Sequence, residues 1–267
     1  MKTNEQKAQK DFIKTHRRTL WTPFIKAIKT YHLIEENDKI AVALSGGKDS
    51  LIMALMLKEL THHPLVNFEI KLLAMDPGYH PFKRAQMEEN FKTLNLDVEI
   101  VDKPLFEIIE QEAPDYPCYL CARIRRGILY GLAEKHGCNK LALGHHFNDV
   151  IETTLLNMFY AGAFKTMKPK LNADHFKGMS LIRPMTLIKE QDIERFMKRQ
   201  NLHALDCACA VSAGQTASKR QEIKTLIATL KEKNPDIDKA IFNAGRNVNL
   251  DHVFGWVKDG KTYTFED

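Results

Sequence analysis

The residues able to do chemistry fall into a few short strings. The first, Ser45-Gly46-Gly47-Lys48-Asp49-Ser50, separates an apolar run at 39–44 from another at 51–57. Two adjacent glycines let the backbone approach phosphate oxygens, and the start of a following helix offers unpaired N–H groups and positive dipole character. Lys48 adds a point charge, the Asp49 carboxylate suits a Mg²⁺ bridging phosphates, and Ser45 and Ser50 supply hydroxyls. The spacing matches neither the Walker-type phosphate loop nor the dinucleotide G-x-G-x-x-G fingerprint. The chemistry it suggests is still nucleotide-phosphate binding, because strand, turn and helix follow one another there.

The second string is Pro117-Cys118-Tyr119-Leu120-Cys121, followed by Arg123, Arg125 and Arg126. A proline just before C-x-x-C puts both thiols at a helix start, where the dipole favours thiolates. At helical angles Cys118, Cys121 and Arg125 share a face and Arg123 points roughly the other way, so Arg125 is expected nearest whatever the thiols bind. C-x-x-C alone suits zinc, iron–sulfur or dithiol redox chemistry. A third thiol would come from Asp206-Cys207-Ala208-Cys209. Three thiolates on a cubane leave one iron open to an exogenous sulfide, whereas four thiolates would suit structural zinc. The fifth cysteine, Cys138, stands before an apolar run and reads as a small buried residue.

A third stretch, Leu143-Gly144-His145-His146, leads to Asn148, Asp149 and Glu152. His145, Asp149 and Glu152 are spaced for one helical face. Asp149 reads either as a magnesium or catalytic carboxylate or as a helix N-terminal acid stabilised by the dipole. His145 and His146 read as structural or substrate-lining, since no further histidine is spaced to complete a zinc site.

The elements that must position these strings alternate. Apolar runs at 39–44, 68–75, 98–101, 141–143 and 181–184 read as strands, 49–60, 81–94, 105–111, 118–135, 148–160, 190–200 and 215–233 as helices, and Asp259-Gly260 as a turn in the tail. That order predicts an α/β fold: a doubly wound, Rossmann-like parallel sheet of about five strands. Residues 5–32 read as one amphipathic helix, giving an N-terminal helical arm (1–36) before a domain over 37–267 with a C-terminal helical segment. The 267 residues, 44% of them hydrophobic and 27% charged, exclude a disordered or collagen-like chain. No apolar run is long enough to span a bilayer and no secretory h-region opens the chain, so a cytoplasmic protein without membrane partners is expected, its cysteines outside any disulfide framework. The net charge of +5 permits a polyanionic partner without demanding one.

Together the strings SGGKDS, PCYLCARIRRGILYGLAEKHGCNKLALGHHFND, LLNMFYAG and LIRPMTLIKEQDIERFMK resemble the tRNA 2-thiocytidine synthetase family, ATP- and iron–sulfur-dependent tRNA thiolases of the PP-loop ATP pyrophosphatase superfamily. The resemblance implies adenine-nucleotide-hydrolase-like architecture, a homodimer, ATP with Mg²⁺, and a 4Fe–4S cluster on Cys118, Cys121 and Cys207, with Cys209 as alternative third ligand. It implies sulfur insertion at C2 of a cytidine in the tRNA anticodon loop, from a cysteine desulfurase or free sulfide. ATP would be held by Ala43, Leu44, Ser45, Gly46, Gly47, Lys48, Asp49, Ser50, Met75 and Gly144. Lys48, Asp49 and Asp149 would be catalytic, with Asp49 and Asp149 on magnesium. Lys14, Arg17, Arg18, Arg123 and Arg126 are candidate tRNA contacts. Two departures stand out: DCACA replaces the family's second C-x-x-C, and Asn148-Asp149 replaces two adjacent aspartates. Rival readings are a PP-loop tRNA-modifying ligase or 2-thiouridine synthetase with structural zinc, and a non-catalytic nucleotide sensor.

Overall fold

A computed structural model of the chain describes residues 10–106, 117–205 and 215–266. Strand β1 (Asp38–Leu44) is buried at every position but Lys39, as its nearly unbroken apolar run requires of a strand covered on both faces. It pairs in parallel with β2 (Phe68–Asp76) on one side and β4 (Lys140–Ala142) on the other. β3 (Val98–Asp102) extends the sheet beyond β2, and β6 (Ser180–Ile182) extends it beyond β4, both parallel. The order is β3-β2-β1-β4-β6-β5. Strand order therefore reverses between β1 and β4, and their carboxyl ends flank the crevice in which such sheets bind ligands.

The sheet has one strand more than expected. β5 (Lys170–Asn172) runs antiparallel at the edge, and its three half-buried or exposed residues carry no apolar pattern to announce it. Helix α2 (Lys48–His62) is buried from Ser50 through Leu57, because it packs against β1, β2 and a later helix, α6 (Glu190–Gln200), at once. α3 (Pro81–Thr93) and α4 (Pro117–Lys135) follow β2 and β3, and α5 (Phe147–Ala161) follows β4. α7 (Gln215–Lys233) and α8 (Ile237–Ala244) pack on α5. The helix expected over 105–111 lies mostly outside the described residues. Among those described, no helix is long and apolar enough to cross a membrane.

The single helix expected over 5–32 is interrupted. The His16 carbonyl accepts from the N–H groups of Thr19, Leu20 and Trp21 at 3.2, 2.8 and 3.4 Å, widening Arg17–Trp21 into a π-helical turn. The break itself is the turn at Lys14–His16; the π-helical turn then runs directly into α1 (Thr22–Thr30), with Pro23 in its first turn, where a missing N–H is tolerated. The interruption redirects the apolar side chains: Phe12, Leu20, Phe24 and Ile28 all join the main core, and Phe12 stacks on Phe196 of α6 at 4.3 Å. At the other end β7 (Gly255–Lys258) and β8 (Lys261–Thr264) form a hairpin over Asp259-Gly260, a turn expected from the residues and made with positive φ at both.

Phe12→Ala should therefore cost about 3–5 kcal/mol, the range for deleting a buried aromatic ring. Urea unfolding of the full chain measures it. A loss below about 1 kcal/mol would mean that these residues fold apart from the sheet.

Candidate active site

The turn after β1 is closed by its own hydroxyls. Ser45 N–H donates to Ser50 Oγ at 3.1 Å, Gly47 N–H to Ser45 Oγ at 3.4 Å, and the Ser50 hydroxyl to the Gly47 carbonyl at 2.9 Å. Gly46 has φ +77°, and a Cβ there would lie 2.7 Å from Leu205 Cδ1. Leu205 N–H also donates to the Gly46 carbonyl at 3.0 Å. The chain just before the Asp206–Cys209 segment is thus fastened to this turn. From the other side, a Cβ on Gly144 would stand 3.0 Å from the Asp49 carbonyl carbon and 3.1 Å from Ser50 N, so only glycine lets the end of β4 approach the start of α2.

Between them lies a cavity of about 360 Å³. The β1 end and turn contribute Ala43, Leu44, Ser45, Asp49 and Ser50, and the β4–α5 connection contributes Leu143, Gly144, His145 and Asp149. The third wall is α4, through Ala122, Arg125, Arg126 and Leu129. These sit one turn beyond the C-x-x-C at its start. Arg125, expected nearest the thiols' ligand, faces this cavity, and Arg126, expected on tRNA, also lines it.

Gly46, Gly47 and Lys48 of the turn are outside this lining, and next to it acids and bases alternate. Lys48 Nζ is 3.0 Å from Glu190 Oε1 and 3.4 Å from Asp49 Oδ2. Burial opposes its charge, but the two carboxylates outweigh burial and hold the ammonium above the usual lysine range. Asp49 is raised, burial and Asp149 outweighing His146 and Lys48, and its Oδ1 is buried without a hydrogen-bond partner. Asp149 is the helix N-terminal acid of one of its readings, and it also lines the cavity. Its carboxylate accepts the His146 N–H at 3.0 Å while its own N–H donates to His146 Nδ1 at 3.3 Å, a capping box for α5. Glu152 is buried beside Arg220 Nε at 3.2 Å and Lys224 Nζ at 3.8 Å, and burial pushes its carboxyl up to about 7 against those cations.

Glu190 was not anticipated. It opens α6, distant from Lys48 in the chain, and only the packing of α6 against α2 joins them. Asn148 explains its own departure from an aspartate: its Oδ1 accepts the Glu190 N–H at 3.0 Å, satisfying the start of α6 without adding a further negative charge. Arg183 and Arg220 were equally unannounced: Arg183 falls within the LIRPMTLIKEQDIERFMK string without any spacing that marks it, and Arg220 lies outside every quoted string.

Several other expected residues lie outside this cavity's lining. Met75 does not line the cavity; it is buried with Leu105 in a cluster that also receives Leu120, Cys121 and Ile124. Neighbouring Asp76 is taken up by the N–H groups of Gly78 and Tyr79 and by Arg84. Arg17, Arg18 and Arg123 are exposed and outside the cavity lining. The backbone of Cys118 lies in the first turn of α4, and Cys121 is half-buried one turn on. Cys207 and Cys209 lie outside the described residues. Cys138 is buried among Ala41, Leu73 and Leu141, and burial raises its thiol, in keeping with a core role.

Among the described residues, no group of three or more His, Cys, Asp or Glu is spaced to hold a metal. A Mg²⁺ needs less, since it commonly takes one or two carboxylates and completes its shell with substrate phosphates and water. The unpartnered Asp49 Oδ1 beside Asp149 fits that mode.

Two outcomes follow. Gly144→Ala should cost about 1–3 kcal/mol through overpacking against backbone that cannot yield, and thermal unfolding should show this together with a lost stabilisation by ATP. Retained stability with full ATP protection would refute the close approach. Glu190 is held down to about 2 despite burial, first by its hydrogen bond with Lys48 and then by Lys48, Lys224 and His146 charge. Its folded value lies below its ordinary 4.5, so the stability it contributes is complete above that pH and is lost as pH falls toward about 2. The stability gap between wild type and Glu190→Gln should accordingly be widest near neutrality and close below pH 4.5. A gap independent of pH would contradict it.

Comparison with known proteins agrees with this geometry. Residues 20–207 match the PP-loop domain family. The chain is 41% identical over 226 residues to the tRNA-cytidine(32) 2-sulfurtransferase of Geotalea uraniireducens, covering 84% of this chain and 88% of that relative. It is 37% identical over 225 residues to the enzyme of the same name from Vibrio parahaemolyticus, covering 84% and 75%. The solved U34-tRNA thiolase NcsA from Methanococcus maripaludis, with its 4Fe–4S cluster, superposes with a TM-score of 0.70 at 25% identity, covering 94% of this chain and 82% of that one. Family match, relatives and site converge: the chain belongs to the tRNA 2-thiocytidine synthetase family of PP-loop ATP pyrophosphatases.

Proposed function

We propose that this protein is an ATP-dependent tRNA sulfurtransferase that converts a cytidine of the anticodon loop, position 32 as in its named relatives, to 2-thiocytidine. The observation that carries the reading is that the nucleotide turn and the C-x-x-C helix open on one cavity. A ligase with structural zinc would not need them together, and a mere nucleotide sensor would need no thiols.

ATP lies with its phosphates on the turn's N–H groups and Lys48, and Asp49 and Asp149 would hold Mg²⁺ against them. The C2 oxygen of the base attacks the α-phosphorus and pyrophosphate leaves with the bonding pair. Lys48 and Arg125 are the cations suited to the charge that develops, the electrostatic contribution that usually dominates catalysis. A sulfur nucleophile then forms a bond to C2, the C2–O bond breaks, and AMP carries the oxygen away. A 4Fe–4S cluster on Cys118, Cys121 and Cys207 or Cys209 would supply that sulfur, because three thiolates leave one iron open. Two features favour this donor set: C-x-x-C at a helix start, and Leu205, two residues before Cys207, fastened to Gly46. The target base must leave its stack, which anticodon-loop bases do readily. Lys14, Arg17, Arg18, Arg123 and Arg126 are suited by exposure and charge to the tRNA backbone. A cysteine desulfurase or free sulfide replenishes the sulfur, and the working unit is a homodimer.

The test uses the full chain, reconstituted anaerobically with iron and sulfide and given ATP, Mg²⁺ and unmodified tRNA. Mass spectrometry of the digested nucleosides should show 2-thiocytidine, and Lys48→Ala should reduce it about 100-fold or more. A colourless, zinc-only protein that leaves the tRNA unthiolated would favour the ligase reading instead.

A further inference from the structure

His145 lines the cavity, and behind it stands Arg183, just after β6 and outside the cavity lining. Arg183 is only 6% exposed, yet no described carboxylate pairs with it. Its backbone N–H is bonded to the Pro169 carbonyl at 2.9 Å, and its Nη1 donates to the Lys168 carbonyl. A buried guanidinium fixed in this way cannot swing toward solvent. Its Nε–H is directed at His145 Nδ1, 3.3 Å away.

We propose that Arg183 sets His145 as a neutral hydrogen-bond donor to the reacting phosphate: the guanidinium occupies Nδ1, which leaves the ring proton on Nε2 at the cavity. Guanidinium has donors only, so the nitrogen it meets must be the one bearing a lone pair. In a neutral imidazole the proton then sits on the other nitrogen. Among the described residues no group takes that Nε2. The surroundings keep the ring neutral: burial holds it down to about 4, and Arg183, Arg220 and Arg126 add to this against Asp149. His145 follows Gly144, where a Cβ would stand about 3 Å from the backbone of Asp49 and Ser50, so its backbone is held beside the phosphate turn, and its side chain lines the same cavity as Asp49 and Ser50. A neutral donor there stabilises charge developing on the α-phosphate oxygens without needing a proton from solvent. His145 is then a catalytic residue and Arg183 its positioning residue. The assignment rests on the adenylation reading above.

The experiment combines tautomer spectroscopy with kinetics on the full chain. Proton–nitrogen correlation spectra of the ¹⁵N-histidine-labelled protein, with His145 assigned by its absence from His145→Gln, should show His145 protonated at Nε2 alone. Arg183→Met should mix the tautomers, and Arg183→Lys should report whether charge alone suffices. With substrate tRNA, pyrophosphate release by His145→Asn should fall about 100-fold in kcat, with KM for ATP within about threefold. His145→Gln, whose amide nitrogen reaches the Nε2 position, should recover about tenfold. A wild-type ring protonated at Nδ1, or His145→Asn within about twofold of wild-type kcat, overturns the assignment. If the wild type thiolates no cytidine, the functional reading falls and the tautomer spectrum alone decides that of His145.

Discussion

The contact on which the site depends is the backbone approach of the β4–α5 connection to the first turn of α2. A side chain on Gly144 would meet the Asp49 carbonyl and the Ser50 nitrogen at about 3 Å. That approach brings the carboxyl ends of β1 and β4 together where strand order reverses, and it sets His145 and Asp149 opposite Asp49. A larger residue would part the two turns and enlarge the cavity between them. The neighbouring Gly46 works on the other flank, where Leu205 occupies the space of its missing Cβ.

Around this contact the charges form one connected set rather than separate pairs. Lys48 is shared between Asp49 and Glu190, Glu190 between Lys48 and Lys224, and Arg220 between Asp149 and Glu152. The cations from α7 and the acids from α2, α5 and α6 therefore hold one another in a partly buried mouth. Individually the half-exposed pairs among them, such as Lys48–Asp49 and Lys224–Glu190, contribute little to stability. Their effect here is positional, since the carboxylates restrain Lys48 at the entrance to the phosphate turn. The same ammonium joins the first turn of α2 to the first turn of α6.

Most of the sheet and the phosphate turn were legible in the residues. Five strands and the helices around them follow from apolar runs and periodicity, and the Asp259-Gly260 turn from its dipeptide. The failures have local causes. Residues 5–32 have the amphipathic spacing of one helix, but the turn at Lys14–His16 breaks it, and the core accepts the apolar side chains on both sides. β5 is a three-residue edge strand without pattern. Met75 stands near the end of β2 as expected, and its side chain joins the cluster beneath α4 and is outside the cavity lining.

Sequence alone determined what depends on neighbours in the chain: the strand–turn–helix that makes a phosphate loop, the thiol pair at a helix start, and Asp149 at the first turn of α5. Each works through hydrogen bonds and dipoles spanning only a few residues. Tertiary structure decided what depends on distant segments meeting. It brought α4 to the nucleotide turn, Glu190 to Lys48, Arg183 to the back of His145, and Leu205 onto Gly46. Those meetings arise from burying apolar faces, which is non-directional and leaves no spacing signature for the polar groups carried along with them.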